Sequence, residues 1–292
     1  QRALGVANVE TGAAVSDRSI FPAASLGKPV FAYTVIQLAN EGLLGLDRPL
    51  VAILRPDGPT TDARLDRITP RHVLSHATGL PNWRRQPGNL TPEFEPGERF
   101  QYSGEGFFWL QRAVETVTRR GVDRVVRERL FAPAAMERAT YAWSADHRRD
   151  LVWGHDRRGA LARQFNREIA DPLLAHADAS GTPMSDWTAA DVFRAMEETK
   201  SSLPRLPNFV VPNVAGSLLG TAGDYGRFLA LMMPGHRAQP WELSDQNRSA
   251  MLSPRVEINR ALSWGLGWGL ETTDQGQLFW HWGDNGPFKA FV

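Results

Sequence analysis

The sequence contains no cysteine, and this absence removes several kinds of chemistry at once. Disulfide bonds, thiolate metal sites and a cysteine nucleophile are excluded, and the chain carries no clue to the redox state of its compartment. No uninterrupted apolar run reaches the length of about 20 residues that a membrane-spanning helix needs. The net charge of +1 gives no reason to expect nucleic acid or an anionic membrane as a partner.

Lysine is nearly absent, since Lys28, Lys200 and Lys289 are the only lysines among 33 Lys and Arg residues. Arginine stays protonated at every useful pH, whereas a lysine held in a tight and partly dry site can lose its proton. Lys28 follows Ser25 by three residues, in the single Ser-x-x-Lys of the chain. A neutral amine beside a hydroxyl would supply a nucleophile and its base.

The segment that follows Ser25 is apolar from residue 30 to residue 39, which predicts a buried helix. Ser25 would lie at the start of this helix, where main-chain N–H groups and the positive end of the helix dipole favour an oxyanion. Three residues are nearly one turn, so Ser25 and Lys28 would share a face. An N-cap serine followed by a solvated lysine is the alternative, and this segment alone leaves both interpretations open.

Strand patterns lie at both ends of the chain and helical patterns lie between them. Strands are predicted in residues 4–12, 264–270, 278–283 and 288–292. Helices are predicted from Pro70, with Thr69 as N-cap, and over residues 107–119, 122–130, 189–199 and 223–233. This order predicts an α/β (α+β) fold in which an antiparallel sheet formed from both termini is flanked by helices, with a mostly helical inserted region.

Two domains are expected from the same pattern. Residues 1–47 and 216–292 would form the α/β sheet domain, and residues 48–215 a helical domain with lid-like loops. Residues 81–100 read as a long loop, and residues 144–215 as a lid or insertion, because long irregular segments in compact domains are usually functional or mobile. Trp83 and Trp153 lie in these loops and are candidates for the wall of a cleft.

Three short segments carry the candidate chemistry, in the order Ser25-x-x-Lys28, Tyr102-Ser103-Gly104 and His281-Trp282-Gly283. The chain has only four tyrosines, which makes the tyrosine of the second segment informative. Further motifs are Val-Leu-Ser-His-Ala-Thr-Gly-Leu at residues 73–80, Thr-Ala-Gly-Asp-Tyr at 221–225 and Gly-Leu-Gly-Trp at 265–268. Together they resemble the serine β-lactamase and penicillin-recognising hydrolase family over essentially the whole chain. The resemblance is to its class C β-lactamase-like branch, with family VIII esterase and D-alanyl-peptidase relatives, and it implies a β-lactamase/transpeptidase-like fold.

The resemblance implies roles for four side chains. Ser25 would attack an acyl carbon, while Lys28 and Tyr102 would shift its proton, with Tyr102 as base or as relay to the leaving group. His281 would occupy the position of the lysine in the family's Lys-Thr-Gly strand motif, where some relatives carry histidine.

The resemblance also implies a substrate-binding set. The main-chain N–H groups of Ser25 and Asp284 would form the oxyanion hole, and Gly283 would let substrate lie flat against its strand. Gly104 stands where many relatives have an asparagine that contacts the acyl-amide group of the substrate. The lack of this asparagine weakens the case for efficient β-lactam turnover, and it leaves esters or small peptides open as substrates.

The sequence thus predicts a serine hydrolase that forms an acyl-enzyme on a β-lactam, an ester or a D-amino-acid peptide. A slow-turnover penicillin-binding or sensor protein and a non-catalytic scaffold of the same fold are the alternatives. No cofactor is needed. The partner would be a small-molecule or peptide acyl substrate, with no nucleic acid and no visible membrane span, while the oligomeric state stays open.

Two further expectations concern metal and the extent of the chain. His72 and His76 have a spacing that can bind metal, but no acid lies between them and no third ligand is evident, so no metal site is predicted. Family members continue beyond both Gln1 and Val292, so we expect that sequence is trimmed or missing at both ends. Localisation is undetermined, although the resemblance is compatible with export to the periplasm or the exterior.

Overall fold

The computed structural model describes residues 2–56, 61–84, 90–162, 167–201 and 210–292, and for residues 167–169 it describes the main chain alone. The chain divides into two compact units. Unit 1 contains residues 1–27, 120–236 and 282–291, and unit 2 contains residues 28–119 and 237–281 together with Val292. The domain boundaries inferred from the sequence follow a different division and stay a prediction.

Unit 1 contains six strands and five helices among its described residues. The strands are β1 (Val6–Asn8), β2 (Ala13–Ala14), β3 (Phe21–Ala24), β4 (Leu218–Gly220), β9 (Trp282–Asp284) and β10 (Lys289–Phe291). The helices are α4 (Val122–Val126), α5 (Ala145–Asp150), α6 (Arg167–Ser180), α7 (Ala189–Glu198) and α8 (Ala222–Met232). The strands pair antiparallel as β1 with β2, β3 with β4, and β9 with β10.

Strand β3 joins distant parts of the sequence within unit 1. It pairs with β4, almost two hundred residues further along the chain, and it also packs beside β9 and β10. An apolar cluster in this unit contains Ile20, directly before β3, with Trp143, Leu151 and Leu219. Strand β3, from the beginning of the chain, therefore pairs antiparallel with β4, from its last third, as the sequence predicted.

Unit 2 contains four helices and a four-stranded antiparallel sheet among its described residues. The helices are α1 (Gly27–Asn40, with its first residue in unit 1), α2 (Pro70–Leu74), α3 (Gly104–Thr118) and α9 (Asp245–Met251). The sheet has the order β5 (Val256–Glu257), β6 (Leu262–Trp264), β7 (Gly269–Thr273) and β8 (Gly276–Trp280). The apolar run after Ser25 forms α1, which is buried from residue 27 to residue 38, as its composition indicates.

Several predicted helices are confirmed with small shifts at their ends. Thr69 caps α2 and Pro70 is its first residue, while α3, α7 and α8 begin within three residues of the predicted positions. The helix predicted over residues 122–130 is α-helical to Val126 and then widens into a π-helical turn, Arg127–Phe131. The irregular segment 144–215 also contains α5 and α6. Its residues 163–166 and 202–209, and residues 85–89 of the 81–100 loop, lie outside the described residues.

The strand predicted over residues 264–270 is wrong. The segment is the end of β6, a tight turn and the start of β7, with Trp264 paired to Gly269 across the hairpin. Gly267 has a φ of +88°, which an L side chain rarely adopts. A Cβ there would also lie 2.6 Å from the Cβ of Ala32 in α1. The alternation of large residues and glycine therefore reflects a turn pressed against a helix instead of a pleated strand.

Candidate active site

Ser25 lies at the end of strand β3, where the chain turns into helix α1. The turn begins at Ala24, a fully buried alanine in the left-handed region, with a φ of +53°. This conformation is costly for a residue with a Cβ and persists only where the surroundings enforce it. Ser25 is partly exposed, and its hydroxyl donates a hydrogen bond to the main-chain oxygen of Ala215 at 3.3 Å.

Two buried tyrosines of unit 1 hold the turn that follows Ser25. The hydroxyl of Tyr141 donates to the main-chain oxygen of Gly27 at 2.6 Å, and that of Tyr225 donates to Leu26 at 3.1 Å. Burial raises the pKa of both phenols well above the ordinary value, so both remain neutral donors. The sequence did not reveal Tyr141, because its contact with residue 27 spans more than a hundred positions.

Strand β9 reaches the residues that precede Ser25. Gly283 is buried, and a Cβ there would lie 2.3 Å from the main-chain oxygen of Ala23. The structure therefore gives a reason for this glycine in the close approach of β9 to β3, while its predicted contact with substrate stays a prediction.

The side chain of Asp284, the next residue of β9, is committed to the β9–β10 hairpin. Its carboxylate pairs with Lys289 and accepts the N–H of Gly286 at 2.9 Å. The hydrogen bond from Lys289 is the main reason why the pKa of Asp284 lies below its ordinary value. Its predicted role in an oxyanion hole concerns the main-chain N–H alone.

Lys28 is buried in unit 2, with only 1% of its surface exposed. Its Nζ lies 4.7 Å from the centroid of the Tyr102 ring and 5.6 Å from that of Phe107. Burial lowers the pKa of this amine well below the ordinary value of a lysine. A solvated lysine on the first turn of α1, the alternative left open by the sequence, is therefore wrong.

Tyr102 stacks on the imidazole of His76, with the ring centroids 4.2 Å apart. The Nδ1 of His76 accepts the N–H of Ser103 at 3.0 Å, which assigns the ring proton of the neutral tautomer to Nε2. Burial, followed by the charges of Lys28 and His281, lowers the pKa of His76 well below its ordinary value. His76 also has a left-handed φ of +54°, so it is a second strained residue beside a candidate catalytic group.

His281, which directly follows β8 in the chain, is fully buried and belongs to the same aromatic cluster of unit 2. Its ring centroid lies 5.4 Å from that of Trp264 and 6.3 Å from that of Tyr102. Its main-chain N–H and oxygen pair with Val292 at 3.3 and 3.1 Å. Unit 2 thus brings together three of the predicted catalytic residues, Lys28, Tyr102 and His281.

Gly104 is the first residue of α3 and is buried, with Ser103 as the N-cap. The indole of Trp83 covers it, since a Cβ at residue 104 would lie 2.5 Å from the ring. Sequence reasoning noted both residues separately and missed their contact, for which the sequence carries no local signal.

The histidine pair 72 and 76 is divided between two separate tasks. The Nδ1 of His72 accepts the N–H of Thr69 in a capping box, whereas His76 lies beyond the end of α2 and faces Tyr102. Within the described ranges, no three His, Cys, Asp or Glu side chains come close enough to hold a metal ion. In the described part of the chain, no helix combines the length and apolar character needed to cross a bilayer.

Comparison with known proteins assigns the family. The β-lactamase family model matches residues 1–292, the whole of the chain, and the chain belongs to this family. It is 29% identical over 153 residues to penicillin-binding protein 4 of Amycolatopsis lactamdurans. This match covers 47% of this chain and 40% of that protein. It is 34% identical over 84 residues to esterase EstB of Burkholderia gladioli, covering 28% of this chain and 21% of that protein. The matches therefore span less than half the length of either curated relative.

Solved structures share the fold. A β-lactamase/D-alanine carboxypeptidase from Yersinia pestis superposes with a TM-score of 0.69, covering 99% of this chain and 78% of that one at 16% identity. This likeness confirms the β-lactamase/transpeptidase-like fold with mixed helices and antiparallel sheets. The named relatives include an esterase and a carboxypeptidase, and these two proteins are hydrolases.

Proposed function

We propose that the chain is a serine hydrolase that forms an acyl-enzyme at Ser25, with ester, β-lactam or D-amino-acid peptide as the substrate class. The observation that carries the proposal is the state of Lys28. A lysine whose pKa is depressed by burial, three residues after a serine at a helix start, is a base matched to a hydroxyl nucleophile. Membership of the β-lactamase family supports the same conclusion.

The proposed acylation step moves one proton and exchanges one bond. Ser25 Oγ attacks the carbonyl carbon while its proton passes to the amine of Lys28, which acts in its neutral form. Negative charge develops on the carbonyl oxygen, where the N–H groups of Ser25 and Asp284 are the proposed donors. The bond to the leaving group then breaks, and the departing oxygen or nitrogen takes the proton by way of Tyr102, whose ring lies under the Lys28 amine.

Deacylation repeats the same chemistry with water as the nucleophile. Water loses a proton to the Lys28 and Tyr102 pair, attacks the acyl carbon and releases the acid, and Ser25 Oγ recovers its proton. His281 and His76 pack around Tyr102 and position it in this scheme.

Intact-mass measurement after exposure to acyl donors tests the proposal. The wild-type protein, Ser25→Ala and the exposed-serine control Ser249→Ala are incubated with an activated short-chain ester, a chromogenic cephalosporin and a fluorescent penicillin. We expect hydrolysis or an acyl adduct in the wild-type and Ser249→Ala proteins, and a loss of at least about 10³-fold in Ser25→Ala. A persistent adduct without turnover would support the slow penicillin-binding alternative, and equal signals from all three proteins would refute the proposal.

A further inference from the structure

Residues 81–84 of the 81–100 loop are fastened to the start of helix α3. The hydroxyl of Ser103 donates to the main-chain oxygen of Pro81, and the N–H of Gly104 donates to Oδ1 of Asn82, both at 2.9 Å. The N–H of Glu105 donates to the main-chain oxygen of Asn82, also at 2.9 Å. Three consecutive residues after Tyr102 therefore each bind this loop.

A buried ion pair fixes the other side of the same loop. The guanidinium of Arg84 binds both carboxylate oxygens of Glu105, with Nε at 2.9 Å and a terminal nitrogen at 2.8 Å. The N–H of Arg84 donates to the same carboxylate at 2.9 Å, and the Glu105 side chain is 1% exposed. Bidentate pairs of this kind hold both planes in one orientation, so Trp83 is held between two anchored neighbours.

The indole of Trp83 fills the space that a side chain at residue 104 would need. Three atoms of the indole lie 2.5, 2.7 and 2.9 Å from where the Cβ of any other residue would stand. Real Cβ atoms essentially never approach ring atoms so closely, so residue 104 is restricted to glycine as long as Trp83 keeps this position. Trp83 itself is half-buried, so the residue is not fully enclosed by protein.

We propose that Trp83 is a specificity-determining residue and that the substrate group packed beside Tyr102 is an aryl or alkyl group instead of an amide. This inference rests on the proposed function, in which Tyr102 handles protons at the reacting centre. Gly104 offers no side-chain polar atom two residues after Tyr102, and its main-chain N–H is already bound to Asn82. The indole of Trp83 therefore occupies the space where a side chain of residue 104 would stand.

The physical consequence is a preference among substrates of similar size. An aryl group gains contact area and ring packing against Trp83, whereas an amide brought to the same surface loses its hydrogen bonds to water without replacement. Esters with an apolar group at this position are thus expected to react faster than esters with an amide there. The experiment below shows whether this apolar group belongs to the acyl part or to the alcohol part of the ester.

Matched pairs of esters provide the test. A phenylacetyl ester is compared with an N-acetylglycyl ester of the same alcohol, and benzyl acetate with the acetate of an alcohol that carries an acetamide. The ratio of kcat/KM within each pair is measured for the wild-type protein, Trp83→Ala and Trp83→Phe. We expect Trp83→Ala to lower the aryl-over-amide ratio about tenfold in one of the pairs, and Trp83→Phe, which keeps a flat apolar ring, to lower it by a smaller factor.

A double-mutant cycle shows whether the contact itself is responsible. Gly104→Ala forces the indole aside and should lower the ratio nearly as far as Trp83→Ala, whereas adding Gly104→Ala to Trp83→Ala should change it little. Trp241→Ala, which removes a half-buried indole elsewhere in unit 2, is the control, and circular dichroism checks that each variant is folded.

The outcomes separate this inference from the function on which it rests. A lowered ratio in either pair, with non-additive behaviour in the cycle, supports the specificity role. Ratios that stay constant in all variants, while hydrolysis still requires Ser25, overturn it and leave the proposed function standing. Hydrolysis that persists in Ser25→Ala overturns the proposed function itself.

Discussion

Two fully buried ionisable side chains, one in each unit, are held in contrasting ways. In unit 1 the carboxylate of Asp123 accepts the hydroxyl of Thr140 at 2.9 Å, the N–H of Tyr141 and the guanidinium of Arg127 at 3.4 Å. In unit 2 the amine of Lys28 lies over the faces of Tyr102 and Phe107. Burial shifts the pKa of each group toward its neutral form, raising that of Asp123 and lowering that of Lys28.

The two side chains differ in the interactions that act on their pKa besides burial. The pKa of Asp123 is pulled back down by Arg127, Tyr141 and Thr140, which all favour the charged form. Burial is the cause that lowers the pKa of Lys28, and the rings beside it also form the surroundings of the candidate proton relay. Donors aimed at a carboxylate tie a helix to the chain that follows it, whereas burial beside aromatic rings favours the neutral form of the Lys28 amine, as its proposed role requires.

The largest expected effect is that of Lys28→Met, which should separate activity from stability. Ser25-dependent turnover should fall by about 10²- to 10⁴-fold, because the proposed base is lost. The free energy of unfolding at pH 7 should rise by about 1 kcal/mol, because the folded state disfavours the charged amine, as the lowered pKa of Lys28 shows, and methionine carries no charge. Steady-state kinetics and denaturant unfolding measure the two quantities on the same preparation.

The pH dependence of that stability gain serves as its control. The pKa of Lys28 in the folded protein lies below the unfolded value of 10.5, so between these two values the unfolded chain binds the extra proton. The penalty for keeping Lys28 therefore disappears as the pH rises toward about 10.5 and grows as the pH falls. The advantage of Lys28→Met should be smaller at pH 10 than at pH 7, and a variant less stable than the wild type at pH 7 would contradict the comparison.

Asp123 should show the reverse pattern, with a large effect on stability and little on catalysis. Asp123→Ala should lower the free energy of unfolding by about 3 kcal/mol, because it removes the acceptor of the buried Tyr141 N–H together with the bonds from Thr140 and Arg127. Asp123→Asn keeps an oxygen for Thr140 and Tyr141 and should lower it by about 1 kcal/mol. Denaturant unfolding gives these values, and kcat/KM per folded molecule should match the wild type for both variants. Equal stability of the alanine and asparagine variants would show that the hydrogen bonds do not matter.

The features that the sequence predicted are local ones. The apolar run after Ser25, the Thr69-Pro70 helix start and the hairpin around residues 284–286 each depend on residues adjacent in the chain, and the structure contains all three. The error at residues 264–270 has the same origin. Alternation of bulky residues and glycine fits both a strand and a glycine turn, and the helix α1 that decides between them lies far away in sequence.

The contacts that shape the candidate site were beyond local reasoning. Tyr141 binding Gly27, His76 stacking on Tyr102 and Trp83 covering Gly104 all join residues about twenty or more positions apart. The left-handed backbone of His76 was also unexpected, because residues with a Cβ rarely adopt this conformation and a histidine in the sequence does not predict it. Motifs named the candidate residues, while tertiary contacts determine their environment.

The smallest expected effect concerns the strained turn before Ser25, and Ala135 offers a matched control for it. Ala24 and Ala135 both have a φ of +53°, but Ala24 is fully buried beside the candidate nucleophile and Ala135 is exposed in unit 1. Ala135→Gly should raise the free energy of unfolding by up to about 1 kcal/mol, because glycine adopts this conformation without strain. Ala24→Gly gains the same relief but loses a buried methyl group, which costs about 0.8 kcal/mol.

We therefore expect Ala24→Gly to be less stable than Ala135→Gly. Its kcat/KM should fall by less than about tenfold, because the turn that positions Ser25 loosens. A kcat/KM reduced equally in both variants would show that the left-handed turn has no particular connection with Ser25.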